Sequence, residues 1–270
     1  MVPLSYERIA LVAGAGTLPL EITSRLKGKI DVIYSLNENL SPCSPGLDGV
    51  EVVNMLSPNL GWLLRDLKER GIKELIMAGY VPKRLMYMPE KLDPALLAVI
   101  GKLSSRDDHS LLGGIVKAIE SQGIKVLSYR EVISDILAPA GTIAGRLPTE
   151  EEKGDIAWGV NIMKKLLPLS FGQTLVVKGR SVVAVEAMEG TDKTIERAGC
   201  LVKGGVVIKM MRPDQDERYD LPTVGPTTLK MMAEGALTCL AVEAGRTIIL
   251  EKEKTFAIAE ESGIALWGIG

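Results

Sequence analysis

Three carboxylates fall within the stretch Glu186-Ala-Met-Glu189-Gly-Thr-Asp192, where an apolar strand pattern passes through a glycine into a helical one. Oxygen ligands at a strand end suit a hard cation such as magnesium, which keeps several waters and bridges to substrate phosphates. A plainer reading fits the same residues: Thr191 or Asp192 caps the helix and the glutamates are solvated. Downstream, bases and acids alternate from Lys209 to Asp220 in a loop bounded by Pro213 and Pro222. Leu221-Pro222 holds the chain extended after Asp220, and Thr223 and Gly225 introduce the next helix. Carboxylate, lysine and helix N-terminus together suit a bound phosphate with its metal, although a simple surface loop has the same composition.

Near the start of the chain, Gly14-Ala15-Gly16-Thr17-Leu18-Pro19 follows a short apolar strand. Missing side chains let backbone N–H groups and a helix N-terminus approach an anion, but they also permit a tight turn that merely packs a helix on a sheet. A dinucleotide fingerprint is incomplete, because Pro19 replaces its third glycine and Ser35, Leu36 and Asn37 stand where a ribose-binding acid is required. Asp107-Asp108 precedes Leu111 and Leu112, so one carboxylate can cap a helix while the other faces solvent or a cation. His109 beside them has no partner fixed by sequence, and a surface histidine is the plain reading.

These residues need elements to hold them. Strand patterns at 8–13, 31–36, 74–78 and 123–127 alternate with helical ones that start after Gly16, at Ser57-Pro58, at Asp93-Pro94 and at Asp107. This βα alternation predicts an α/β, Rossmann-like parallel sheet with flanking helices over 1–137. Residues 137–148 contain two glycines and two prolines with neither period, and so read as a linker. A second α/β domain with a mixed sheet is expected over 148–270. It opens with a helix whose Thr149 and Glu152 have capping-box spacing, followed by a hairpin of 174–178 with 182–187 and strands at 206–210, 238–242 and 247–250. Helices at 191–198 and 227–234 separate them.

Composition narrows the chemistry. The 270 residues are 46% hydrophobic and 24% charged, which excludes disorder. Thirty-two basic residues against 34 acidic ones leave no cationic field for a nucleic acid. His109 is the only histidine, so zinc sites with several imidazoles and two-metal phosphoesterase sites cannot be assembled. Cys43, Cys200 and Cys239 form no C-x-x-C pair and read as reduced, buried thiols of a cytoplasmic protein. The first apolar run is broken by Gly14, Gly16 and Pro19, so neither a signal peptide nor a membrane span is expected.

The chain resembles the UDP-2,3-diacylglucosamine pyrophosphatases of lipid A synthesis, the type unrelated to calcineurin-like phosphoesterases. The likeness runs through 13–19, Ala78-Gly-Tyr-Val81, Asp107-Asp-His-Ser-Leu-Leu112, Gly172-Gln173, Ala184-Val-Glu-Ala-Met-Glu-Gly-Thr-Asp192, Gln215-Asp216, Asp220-Leu-Pro-Thr-Val-Gly225 and Glu243-Ala-Gly245. Its most specific part is the Glu-Gly-Thr-Asp stretch followed at this distance by Asp-Leu-Pro-x-x-Gly. Ala15, Arg106 and Pro82-Lys83-Arg84 depart from the family pattern.

The resemblance implies a homodimeric, magnesium-dependent (or manganese-dependent) hydrolase that cleaves UDP-2,3-diacylglucosamine to UMP and 2,3-diacylglucosamine 1-phosphate, lipid X, held between two domains. It implies that Asp220 binds metal or activates water, with Glu186, Glu189 and Asp192 as further metal candidates. Lys209 becomes the candidate for stabilising charge on the leaving phosphate. Gly14, Ala15, Gly16, Leu18, Pro19, Gly79, Thr191 and Thr223 become candidates for nucleotide or phosphate contact. The acylated substrate calls for an apolar surface, and Leu85, Met86, Tyr87, Met88 and Pro89 beside Lys83 and Arg84 could touch acyl chains or the cytoplasmic face of the inner membrane. Two rival classes stand beside this one: a non-catalytic nucleotide-sugar binding module, and a nicotinamide-dependent oxidoreductase.

Overall fold

The computed structural model describes residues 8–37, 40, 47, 49–55, 57–81, 88–103 and 108–270. They form two compact units, one of residues Met1–Ser134 together with Asp216–Asp220, the other of Asp135–Gln215 and Leu221–Gly270. No helix among the described residues is long and apolar enough to cross a membrane.

In the first unit, β1 (Ile9–Ala13), α1 (Leu18–Arg25), β2 (Ile30–Ser35), β3 (Glu51–Asn54), α2 (Leu60–Glu69), β4 (Glu74–Ala78), α3 (Pro94–Ile100), α4 (Asp108–Glu120) and β5 (Lys125–Val126) follow one another. The five strands are all parallel, in the order β3-β2-β1-β4-β5. That is the doubly wound order, and it reverses at β1, so the crevice at the carboxyl ends of β1 and β4 is the place where such sheets take ligands. Ala10, Val12, Val32 and Tyr34 lie on the sheet face that packs with Leu63 and Leu67 of α2, Leu96 of α3 and Val116 and Ile119 of α4. Asp93 caps α3 through the N–H groups of Ala95 and Leu96, as Asp93-Pro94 predicts. The edge strand β3 has no counterpart among the predicted strands; it is only four residues long, with two exposed ends.

The second unit contains β6 (Gly141–Ala144), α5 (Glu150–Leu166), β7 (Thr174–Lys178), β8 (Ser181–Val185), α6 (Thr191–Leu201), β9 (Val206–Lys209), β10 (Thr223–Val224), α7 (Pro226–Glu234), β11 (Cys239–Glu243), β12 (Ile248–Ile249), α8 (Lys252–Glu261) and β13 (Ala265–Ile269). Six strands make a mixed sheet in the order β6-β13-β11-β9-β7-β8, and β10 pairs with β12 in a separate parallel ribbon. Strand alternation sorts the core into two layers. Leu175, Val177, Val206, Ile208 and Ala241 pack with Ile156 and Met163 of α5. Val176, Val207, Leu240, Val242 and Leu266 pack with Ile195 of α6, Leu229 and Met232 of α7 and Ala259 of α8. Lys209 continues the Val207 series and therefore emerges on the α6 side at the carboxyl end of β9.

Two boundaries differ from the sequence-based expectation. Residues 137–148 are no linker: β6 lies within them and pairs antiparallel with β13, and Ala138 is buried in the core of the second unit. Their glycines and prolines hide a four-residue edge strand that is too short to show a period. Asp216–Asp220, expected in the C-terminal domain, belongs to the first unit. The capping box of Thr149 and Glu152 and the hairpin turning at Gly179-Arg180 are present as predicted. The helix α8 and the strand β13 have no predicted counterparts, although β13 is an interior strand of the sheet.

Candidate active site

The polar centre of the second unit grows from the ends of three adjacent strands. β7 runs antiparallel to β9 with Thr174 opposite Lys209, so the start of β7 and the end of β9 share one edge of the sheet. β8 returns to the same edge and delivers Glu186, whose N–H donates to Thr174 O at 2.9 Å. Glu186 and Lys209 are both buried there. Burying charges without partners is costly, and the partners are present.

The Lys209 ammonium donates to Thr191 Oγ1 at 3.0 Å and to the carbonyl of Thr223 at 2.9 Å. Thr191 Oγ1 in turn donates to Glu186 Oε2 at 3.2 Å and lies 3.2 Å from Thr174 Oγ1. A hydroxyl has one proton, so with that proton on Glu186 the Thr174 hydroxyl is the donor in the second contact. Glu186 Oε2 also accepts the Gln173 N–H at 3.2 Å. Gly172 is required beside it: a Cβ at that position would lie 2.6 Å from both Cγ and the carbonyl oxygen of Glu186.

Beyond β9 the chain turns at residues 212–215, where Arg212 N–H donates to Gln215 Oε1 at 3.1 Å and Gln215 N–H to Arg212 O at 3.3 Å. Both residues are only 6% exposed. Arg212 Nε and Nη2, Gln215 Nε2 and Gln173 Oε1 are shielded from solvent and make no hydrogen bond. Glu243, at the end of β11, accepts the Met211 N–H at 2.9 Å. Gln173, Gln215 and Glu243 stand in the sequence only within the stretches that carry the family likeness, and Arg212 only within the alternating loop, none of them with a role of its own; nothing in an alternating loop distinguishes a buried arginine from a solvated one.

The three neighbouring carboxylates do not converge. Glu189 is exposed and receives Arg197 at 2.7 Å and the Thr194 hydroxyl at 3.3 Å. Partial burial pushes its pKa up, but hydrogen bonds from its own N–H, Arg197 and Thr194 outweigh this and hold it below the usual carboxylate range. Asp192 is exposed in the first turn of α6, where it complements the helix dipole. Among the described residues no three His, Cys, Asp or Glu side chains form a metal-ligand group. A protein-built cage for magnesium from Glu186, Glu189 and Asp192 therefore does not fit. A magnesium ion held by one protein carboxylate and by phosphate oxygens does not require such a cage.

Asp220 stands in the first unit, half-buried, with its N–H donating to Asp216 O at 3.1 Å. The segment is anchored by Tyr219, whose ring joins the first unit's core, and by Arg218, which pairs with Asp216 at 2.8 Å and with Glu120 at 2.7 Å. Burial, reinforced by the Asp216 charge, pushes the Tyr219 hydroxyl up to about 12. Arg218 holds Asp216 below the usual range against the opposing effect of burial.

At the crevice of the first sheet, Gly14 N–H donates to Ala78 O and Ala15 N–H to Tyr80 O, both at 2.8 Å, and Tyr80 N–H returns to Ala15 O. The two loops touch backbone to backbone. A Cβ on Gly14 would lie 2.6 Å from Tyr80 O, and one on Gly79 2.8 Å from Gly14 C. These glycines thus serve a close loop contact, and the Gly14 and Ala15 N–H groups are engaged in it. The donors left for an anion are at the start of α1, at Thr17, Leu18 and Leu20, since Pro19 has none. Asp107, the side chains of Asp108 and His109, and residues 82–87 lie outside the described part of the chain, as does Cys43. Cys239 is buried, and desolvation pushes its thiol up to about 12; Cys200 is exposed on α6, contrary to expectation.

Comparison with known proteins agrees with both halves of this architecture. Residues 8–136 match the family model of the LpxI N-terminal domain, and residues 139–267 that of the LpxI C-terminal domain. UDP-2,3-diacylglucosamine pyrophosphatase LpxI of Caulobacter vibrioides is 28% identical over 275 residues, covering 97% of each chain. The solved structure of CobK precorrin-6A reductase overlaps 97% of this chain and 87% of its own at 11% identity, with a TM-score of 0.32, too slight a likeness to bear on fold or activity. With the two domain models matched in order and nearly end to end, this chain belongs to the LpxI family.

Proposed function

We propose that this protein hydrolyses the pyrophosphate bond of UDP-2,3-diacylglucosamine, giving UMP and 2,3-diacylglucosamine 1-phosphate, in lipid A synthesis. The family membership and the end-to-end relative named for this substrate support the reaction. The observation that carries the chemistry is the buried Lys209, fixed by Thr191 and Thr223 at a strand end. Water adds to one phosphorus, the bridging P–O bond breaks, and negative charge grows on the departing phosphate. A preorganised ammonium in a shielded site stabilises such charge without reorganisation.

Asp220 is assigned to metal binding or to taking the proton from the attacking water. Magnesium, or manganese, would be held by Asp220 and the diphosphate oxygens, whose charge it neutralises. Glu186 is assigned to orienting Thr191 and hence Lys209. The start of α1 is assigned to the nucleotide half of the substrate. The nicotinamide-dependent alternative loses its main ground, because the N–H groups of Gly14 and Ala15 are taken by Ala78 and Tyr80. A homodimer and a peripheral contact with the inner membrane near Met88 complete the proposal; sedimentation and vesicle flotation test them.

The deciding experiment is UMP release from UDP-2,3-diacylglucosamine by the purified protein, with magnesium or with a chelator, beside Asp220→Ala. Magnesium-dependent UMP that disappears in the variant supports the hydrolase. Folded protein that binds the substrate and releases no UMP would put the non-catalytic binding module in its place.

A further inference from the structure

Buried polar groups are nearly always paired, and a guanidinium left without acceptors is among the most costly exceptions. Arg212 is such an exception: Nε and Nη2 make no hydrogen bond although the residue is only 6% exposed. Its nearest ionic neighbour is Asp214, whose carboxylate lies 3.6 Å from Nε, beyond hydrogen-bond reach, and is itself largely exposed. Gln215 has the same exposure and a second orphan, Nε2. Its amide orientation follows from the network, because Oε1 accepts the Arg212 N–H at 3.1 Å and the reverse placement would set two donors against each other. The unsatisfied atoms of this turn are therefore all donors. They stand at the carboxyl end of β9, three and six residues after Lys209.

We propose that Arg212 and Gln215 form a phosphoryl-oxygen clamp: the guanidinium fork takes the oxygens of a phosphate group and the Gln215 amide adds a third N–H. Nothing acidic is built into this turn except the exposed Asp214, so the missing partner is an acceptor, and a planar fork of donors selects a tetrahedral oxyanion over a single carbonyl. The proposal rests on the hydrolase reading only for which phosphate is bound; the anion chemistry stands on the orphaned donors.

The test is calorimetric titration of the full chain with inorganic pyrophosphate, UMP and glucosamine 1-phosphate in separate runs, with UMP release from UDP-2,3-diacylglucosamine measured in parallel. Arg212→Gln should weaken pyrophosphate by about 10- to 100-fold, the loss of one or two charge-assisted hydrogen bonds, and raise KM more than it lowers kcat. Arg212→Lys should recover only part, having charge without the fork. The probe whose affinity falls in parallel, UMP or the sugar phosphate, identifies the half of the substrate that is held.

Gln215→Glu separates a clamp from a purely structural turn. It keeps an oxygen to accept the Arg212 N–H and offers the orphaned guanidinium a carboxylate. A structural turn would gain thermal stability with pyrophosphate affinity unchanged; a clamp would lose affinity while holding or gaining stability. Pyrophosphate binding within twofold of the parent in both Arg212→Gln and Gln215→Glu, or no binding to the parent at millimolar concentration, overturns the proposal. UMP release that ignores Arg212 would sink the clamp and leave the hydrolase standing. Arg212-dependent pyrophosphate binding without UMP release would do the reverse.

Discussion

Lys209 and Glu186 meet on one hydroxyl: Thr191 Oγ1 accepts from the Lys209 ammonium at 3.0 Å and donates to Glu186 Oε2 at 3.2 Å. A buried cation and a buried anion are thus coupled through a group that can satisfy both, and the first residue of α6 supplies it. Replacing Thr191 by valine keeps the shape and removes the hydroxyl. The expected cost is ~1–3 kcal/mol for leaving charged partners short of a hydrogen bond, read from denaturant unfolding. Serine at the same position should restore most of it, and equal stability of the valine and serine variants would refute the coupling.

Lys209→Met retains the apolar stem and deletes the charge. The rate of UMP release should fall about 100-fold or more if the ammonium faces the charge that develops on the leaving phosphate. Steady-state kinetics should place the loss mainly in kcat, since an interaction stronger in the transition state than with bound substrate acts there.

Asp220 and Tyr219 are neighbours with separable roles. Asp220→Asn should reduce turnover by orders of magnitude with little change in melting temperature. Tyr219→Ala, which empties a place in the first unit's core, should cost ~3 kcal/mol of stability. Similar melting losses in both variants would mean that Asp220 is structural.

Gly172→Ala places a methyl group 2.6 Å from the Glu186 side chain and carbonyl. Glu186 must shift, at a cost of ~1–3 kcal/mol, and the Thr191 and Lys209 contacts shift with it. Reduced UMP release together with a lowered melting temperature is expected. An alanine variant as stable and active as the parent would contradict the tight approach.

Glu152 supplies a pH dependence. It accepts hydrogen bonds from Arg146, the Thr149 N–H and the Thr238 hydroxyl, at 2.6–2.8 Å. Burial raises its pKa, but these bonds outweigh burial and bring it to about 2 from an ordinary 4.5. A depressed carboxylate contributes stability that is fully present above pH 4.5 and is lost as the pH falls towards 2. Glu152→Gln should therefore lower the melting temperature at pH 7 and flatten its decline on acidification. A parallel decline in both proteins would argue against this linkage.

How far the site could be read from sequence differs from residue to residue. Local rules identified what local forces decide: the Asp93 and Thr149 caps, the 174–185 hairpin, the βα alternation of the first unit, and the strand end that carries Lys209. These depend on spacing, turn residues and capping geometry within a few positions. The carboxylates of the 186–192 segment show the limit, because Glu186, Glu189 and Asp192 are close in sequence yet Glu186 turns inward to Thr191 while Glu189 turns to Arg197 and Asp192 to solvent. Strand alternation and the direction of a helix start separate side chains that a linear spacing groups together.

Family membership, the absence of a multi-histidine centre and two α/β halves were determined by the sequence itself, since composition and periodic patterns do not depend on how distant elements meet. Tertiary structure alone decided that Asp216–Asp220 belongs to the first unit, that 141–144 and 265–269 are paired strands, and that Arg212 is buried with donors to spare. Each of those outcomes is a matter of which long-range partner wins: a core that takes Tyr219, a sheet edge that takes β6, and a turn that satisfies Gln215 Oε1 but leaves Arg212 Nε and Nη2 without a hydrogen bond. Such competition involves groups far apart along the chain, and no local pattern records its result.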